Sequence, residues 1–277
     1  MATVLITGAS SGIGAATARR FLRADWDVIA TARDPDDCAE LADSGARTER
    51  IDVTEPRSIE RTIDAIDERG GHLDCLVNNA GYGQFGPVED VPGDALHDQF
   101  DVNVYGPHRM ARAALPLLAD ADGRIVTVSS IAARFGAPGM GAYCASKAAI
   151  ERLSDALRAE LRPHGVDVVL IQPGPVETNF ADRADASRAN LERSGRHDRI
   201  YRMQDERRSL EYDSTFGVGP ERVASAITDA ATASDPPARV RVGPLATLSR
   251  LIEWLPARWQ DRAFDLAVGG IDRVPGT

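Results

Sequence analysis

The chain has 277 residues, 43% of them hydrophobic and 27% charged, with a formal net charge of −10. That length buries a full core without disulfides or metals, and the acidic balance excludes a nucleic-acid reader, which needs a basic face. Three scattered cysteines, Cys38, Cys75 and Cys144, with no CxxC pair and no HExxH spacing, argue against a disulfide framework and a zinc site and fit a reducing cytoplasm.

The apolar run Ala2 to Thr7 has no basic flank or cleavage site and reads as a strand, not a signal peptide. With it, Val4-Leu5-Ile6, Val28-Ile29-Ala30, Leu73 to Val77, Ile125 to Val128 and Val166 to Ile171 read as buried parallel strands. Helical patterns lie between them, over Ile13 to Ala24, Ser58 to Arg69, Val104 to Ala119 and Ala142 to Leu161. This alternation predicts one α/β domain over residues 1–243, a Rossmann-type doubly wound parallel sheet of about seven strands with helices on both faces. No apolar stretch reaches the roughly 18 residues of a membrane span.

Two regions break the rhythm. Residues 175–217 are polar and charged and follow the carboxyl end of the sixth strand, where open α/β sheets bind ligands, so they are expected to form a substrate lid. A solvated helical excursion is the alternative. After residue 243, a helical extension over 244–277 carries Leu245, Leu248, Leu251, Ile252, Leu255 and Trp259 at helical spacing. Packing on its own subunit or a dimer partner is preferred; covering a pocket or touching a membrane surface are the other readings.

The charges are skewed within each sign, with 28 Asp against 14 Glu and 31 Arg against one Lys. High-GC codon usage produces such a skew. So does a salt-rich cytosol, which screens a dense carboxylate surface, and that reading is preferred.

The first strand runs into Gly8, Ser10, Ser11, Gly12, Ile13 and Gly14, a glycine-rich turn that opens a helix. Such a turn lets the backbone approach a pyrophosphate while the helix start offers free N–H groups and a positive dipole end. The second strand ends Thr31-Ala32-Arg33, without the carboxylate that holds the ribose 2′-hydroxyl of NAD. Arg33 suits a 2′-phosphate instead, so NADP(H) is the expected cofactor and NAD(H) the alternative; Asp34 would repel the phosphate if it pointed inward.

Tyr143 and the only lysine, Lys147, stand four residues apart in a helical pattern and therefore one turn apart on one face. A nearby ammonium is expected to lower the phenol's ordinary pKa of about 10 and so tune it for acid/base chemistry. Whatever favours arginine elsewhere, this position keeps the compact, three-donor ammonium, which suits ribose hydroxyls. Ser129 and Ser130 end the preceding strand, where a hydroxyl can hold a substrate oxygen, and Asn78-Asn79-Ala80-Gly81 ends another strand at the same edge. Cys144, one position past the tyrosine, points off the reacting face and reads as packing.

Together, T-G-x-x-x-G-x-G, N-N-A-G and Y-x-x-x-K, in this order over residues 2 to 243, resemble the non-extended branch of the short-chain dehydrogenase/reductase superfamily. The resemblance implies an oxidoreductase that moves hydride between nicotinamide and a small-molecule alcohol or carbonyl. It selects Ser130 over Ser129, thirteen positions before the tyrosine, and adds Asn103 to Ser130, Tyr143 and Lys147 as the catalytic set. It places Asp52 and Val53 at the adenine, Asn79, Ala80 and Gly81 along the cofactor, and Pro173, Gly174, Val176 and Thr178 at the nicotinamide carboxamide. Asp74 looks like a strand-steadying residue. Similarity to members acting on steroids and retinoids implies a bulky apolar substrate. The extended tail argues against the family's common tetramer and for a homodimer built from the Val104 and Ala142 helices. The rival is a non-catalytic NADP(H)-binding sensor or scaffold, which should lack one of the four catalytic residues.

Overall fold

The computed structural model describes residues 1–69, 71–211, 217–247, 256, 258–260 and 262. Seven strands form one sheet: β1 (Thr3–Thr7), β2 (Asp27–Ala32), β3 (Arg47–Arg50), β4 (Cys75–Asn78), β5 (Arg124–Val128), β6 (Asp167–Pro173) and β7 (Arg239–Val242). Their order is β3-β2-β1-β4-β5-β6-β7, and every neighbouring pair is parallel. The order reverses between β1 and β4, which opens a crevice at the carboxyl ends of these strands.

Both faces of the sheet are covered, which is why its central strands are continuous apolar runs. In β1, Val4 and Ile6 face one layer and Leu5 the other. The first layer packs on α1 (Gly12–Arg23) and α9 (Pro220–Thr232) through Ala18, Phe21, Val223 and Ile227. The second packs on α3 (Pro56–Asp67), α5 (Gly106–Ala119) and α6 (Gly141–Leu161) through Ile59, Ile63, Met110, Leu118 and Leu161. Asp74 is not in β4 but just before it. Its carboxylate accepts from Thr3 N–H at 2.7 Å and ties β1 to β4.

Departures from the periodicity have physical causes. β3 (RTER) and β7 (RVRV) are the two sheet edges and are largely half-buried, so no apolar run marks them. Short α2 (Ala39–Asp43) and α4 (Gly93–Phe100) are likewise small helices without a long apolar stripe. The helical pattern expected from Val104 is split: a π-helical turn over Asp101–Tyr105 precedes α5.

The 175–217 region is helical, with α7 (Phe180–Ala189) and α8 (Asp198–Glu211). It leaves and re-enters the domain at one neck, where Val218 N–H donates to Pro175 O and Glu177 N–H to Val218 O, both at 3.1 Å. Its charged residues are largely spent on anchoring. Asp90 accepts from the Tyr201 hydroxyl (2.9 Å) and Ser194 N–H (3.1 Å), Glu89 meets Arg196 and His197, and Arg188 donates to Asp205 at 2.7 Å. Of the tail, Leu245 and Ala246 lie against Gly174, and Trp259 is exposed beside Arg262. Leu248, Leu251, Ile252 and Leu255 lie outside the described residues. Among the described residues no helix is long and apolar enough to cross a membrane.

Candidate active site

A cleft of about 1120 Å3 runs along the carboxyl ends of the strands, from β2 to the helical 175–217 region. At its β1 end, Gly8 sits at φ +67°, a left-handed conformation strained for any side chain. Asn79 fastens this turn, donating from Nδ2 to Thr7 O and Gly8 O at 2.9 Å each, while the Thr7 hydroxyl accepts from Asn79 and Ala80 N–H. Ser10, Ser11, Gly12 and Ile13 line the cleft, and no side chain caps the start of α1, so its first N–H groups are open to an anion. Gly14 does not line it. It lies beneath the turn, where a Cβ would stand 2.2 Å from Gly8 O, so its part is to let strand and helix close.

Arg33 is exposed at the cleft wall. Asp34, expected to oppose a phosphate if it faced inward, is turned to its own backbone and accepts from Asp36 N–H at 3.1 Å; the carboxylate lining the cleft here is Asp37. Asp52 and Val53 follow. Burial pushes the Asp52 carboxyl up, but bonds from Thr54 and the fields of Arg33 and Arg50 outweigh it and hold the group below its ordinary value. Asn79, Ala80 and Gly81 line the middle, and Pro173, Gly174, Val176 and Thr178 the far wall.

The remaining residues meet where β5, α6 and the π-helical turn converge. Tyr143 is buried, and the Ser130 side chain is near enough to its hydroxyl to draw the phenol's pKa down. Ser129 also borders the cleft, but its hydroxyl donates to the buried Glu151 at 2.8 Å. Lys147 donates to Val128 O at 2.9 Å, and its Nζ lies 5.8 Å from the Tyr143 ring centroid. Asn103, fully buried in the π-helical turn, does not line the cleft: its carboxamide accepts from Tyr82 N–H (3.1 Å) and donates to Tyr82 O (2.9 Å) and Ser146 (3.1 Å). It braces the Gly81-Tyr82 backbone. Inserted π turns of this kind recur at functional sites.

One expectation is overturned. The phenol is not made more acidic: burial pushes Tyr143 up to about 12, Ser130 draws it the other way, and Lys147 does not figure among the causes. The ring is packed between Phe85 and Phe180, with centroids 6.0 and 5.4 Å away, and losing water disfavours phenolate. Lys147 itself is lowered to about 8 by burial, against an opposing pull from Glu151.

The aromatic wall of Phe85, Phe135 and Phe180 with Met140 was not read from the sequence, nor was Glu151. Cys144 is buried in this cluster and packs.

The short chain dehydrogenase family model matches residues 2–189, and the chain belongs to that family. It is an oxidoreductase that uses a nicotinamide cofactor. The oxidoreductase YbbO of Escherichia coli is 35% identical over 266 residues, covering 94% of this chain and 93% of that protein. A 3-ketodihydrosphingosine reductase of Bacteroides thetaiotaomicron is 33% identical (91% and 93% covered), and an NADPH-dependent 3-dehydrocapnine reductase of Ornithobacterium rhinotracheale 32% identical (95% and 96%). Among solved structures, a short-chain dehydrogenase of Streptomyces avermitilis superposes with a TM-score of 0.78 at 29% identity, covering 99% and 98%. One of Burkholderia cenocepacia in complex with NADP gives 0.74 at 25%, covering 95% and 97%.

Proposed function

We propose that the protein is an NADPH-dependent reductase of bulky, largely apolar ketones, with Tyr143 as the proton donor. The observation that carries this reading is the buried Tyr143 phenol beside Ser130, with Lys147 over its ring and Phe85 and Phe180 as walls. The left-handed Gly8, the open start of α1 and Arg33 suit a dinucleotide with a 2′-phosphate. When bound, the nicotinamide supplies the hydride. Ser130 and Tyr143 hold the carbonyl oxygen, and Tyr143 gives its phenolic proton to that oxygen. A phenol pushed to about 12 is protonated throughout the neutral range, the form that reduction needs. Lys147 holds ribose hydroxyls, and Asn103 keeps the Gly81-Tyr82 backbone against it. Asp52 and Val53 border the adenine, and Pro173, Gly174, Val176 and Thr178 the carboxamide.

The relatives named 3-ketodihydrosphingosine reductase and NADPH-dependent 3-dehydrocapnine reductase support NADPH-dependent reduction of a ketone, and the aromatic wall suits an apolar body. The three buried free cysteines suit a reducing cytoplasm. Tyr105 and Leu153, exposed beside α5 and on α6, suit a homodimer across these helices. In a panel of carbonyls at low and high salt, NADPH is expected to be consumed fastest with bulky, largely apolar ketones; no consumption with any ketone or aldehyde would remove this function.

Arg33 gives a second test. Arg33→Ala is expected to weaken NADPH about 10- to 100-fold, the worth of charged hydrogen bonds, with NADH affinity unchanged. Calorimetric titration with both cofactors checks it. Equal losses for the two would remove the 2′-phosphate contact.

A further inference from the structure

Tyr143, Lys147 and Glu151 follow one another at four-residue steps along α6 and so share one face. The first two line the cleft. Glu151 does not; it is 1% exposed, behind them. Its Oε1 accepts from the Ser129 hydroxyl at 2.8 Å and from Gln172 Nε2 at 2.5 Å. Its Oε2 faces Arg134 Nη2 at 3.4 Å and Arg239 Nε at 3.4 Å, with Arg152 at 3.9 Å.

Two of these partners are immediate neighbours of residues assigned above to the reaction. Ser129 precedes Ser130, and Gln172 precedes Pro173-Gly174. Arg134 ends the short 3-10 turn that Ser130 caps. One carboxylate therefore joins the ends of β5 and β6 to the helix that carries the phenol and the ammonium. A buried anion with this many donors is well satisfied.

We propose that Glu151 is a positioning residue of the reacting centre: its carboxylate locks the β5 and β6 strand ends against α6 and keeps Lys147 in its ammonium form. The inference rests on the proposed function in one respect, that Lys147 serves the cofactor. The charged and titratable groups around this pair are Arg134, Arg152, Asp155 and Arg239 facing Glu151, and Tyr143 facing Lys147. Asp155 binds the far end of Arg239 at 2.6 Å and leaves the Nε edge to Glu151. Burial alone drives the lysine toward its neutral form, and the Glu151 charge opposes this. Glu151→Gln keeps the shape and the acceptor for Ser129. It removes the anion while Arg134 and Arg239 stay positive, and both changes act against the ammonium.

The solitary lysine makes the test direct. Full-length protein grown on lysine labelled with carbon-13 at Cε carries one lysine side-chain resonance, so its pH titration reports Lys147 alone. The wild-type midpoint is expected near 8. Glu151→Gln is expected to move it down by about one pH unit or more, Glu151→Asp to restore part of the shift, and Arg134→Gln to move it up. NADPH affinity followed against pH should lose its alkaline limb at correspondingly lower pH in Glu151→Gln, with little change at pH 6. Unmoved midpoints in Glu151→Gln and Arg134→Gln would overturn the inference; should the former fail to fold, an unmoved midpoint in Arg134→Gln does so alone. Wild-type protein that binds no NADPH would instead strike the proposed function, whatever the titration shows.

Discussion

Tyr143→Phe is expected to bind NADPH as the wild type does and to reduce ketones about 10^2- to 10^4-fold more slowly, the range that a positioned proton donor contributes. The substitution removes one oxygen and leaves the ring between Phe85 and Phe180. It also leaves Lys147 on Val128 O and Asn79 on the glycine turn, so the cofactor surface is unaltered. What is lost is the proton at the carbonyl oxygen and the phenol oxygen beside Ser130. Fluorescence titration with NADPH and single-turnover decay of its absorbance separate the two effects. A mutant of near wild-type rate would end the assignment of Tyr143, and equal losses in binding and rate would make it a packing residue.

Gly14→Ala is expected to weaken NADPH about 100-fold and to lower stability by about 2 kcal/mol, roughly 4 to 8 °C in Tm. The added Cβ would stand 2.2 Å from Gly8 O and 2.6 Å from Asn79 Nδ2. The first contact is backbone, so no side-chain rotation relieves it. The turn must open, and with it go the Asn79 bonds that set the N–H groups of α1 at the cleft. A small misplacement of such groups costs far more binding than the strain itself suggests. Calorimetric melting and NADPH titration of the variant check both effects; a variant with wild-type affinity would show that the turn does not hold the cofactor.

The central sheet was legible because strands buried on both faces carry unbroken apolar runs, as in Val4 to Ile6 and Ile125 to Val128. β3 and β7 gave no such run, being edges rich in charged residues. Local spacing revealed the Tyr143–Lys147 pair, since four residues on a helix make neighbours by geometry. It could not show how deeply the pair is buried, and burial is what reverses the expected shift of the phenol. Asn103 was found by resemblance, but its bonds to Tyr82 depend on a π turn that no periodicity announces. Asp34 and Asp37 are a case of local conformation deciding: the first caps its own turn, and the second faces the cleft. Nothing in the sequence singled out Glu151, because Ser129, Gln172 and Arg239 reach it from three separate strand ends.

The most direct measurement is a crystal structure of the full chain with NADP+. The account predicts the pyrophosphate on the N–H groups at the start of α1, the 2′-phosphate at Arg33, and the nicotinamide ring beside the Tyr143 hydroxyl with Lys147 on its ribose. A dinucleotide seated elsewhere, or one whose nicotinamide lies beyond reach of that hydroxyl, would contradict it.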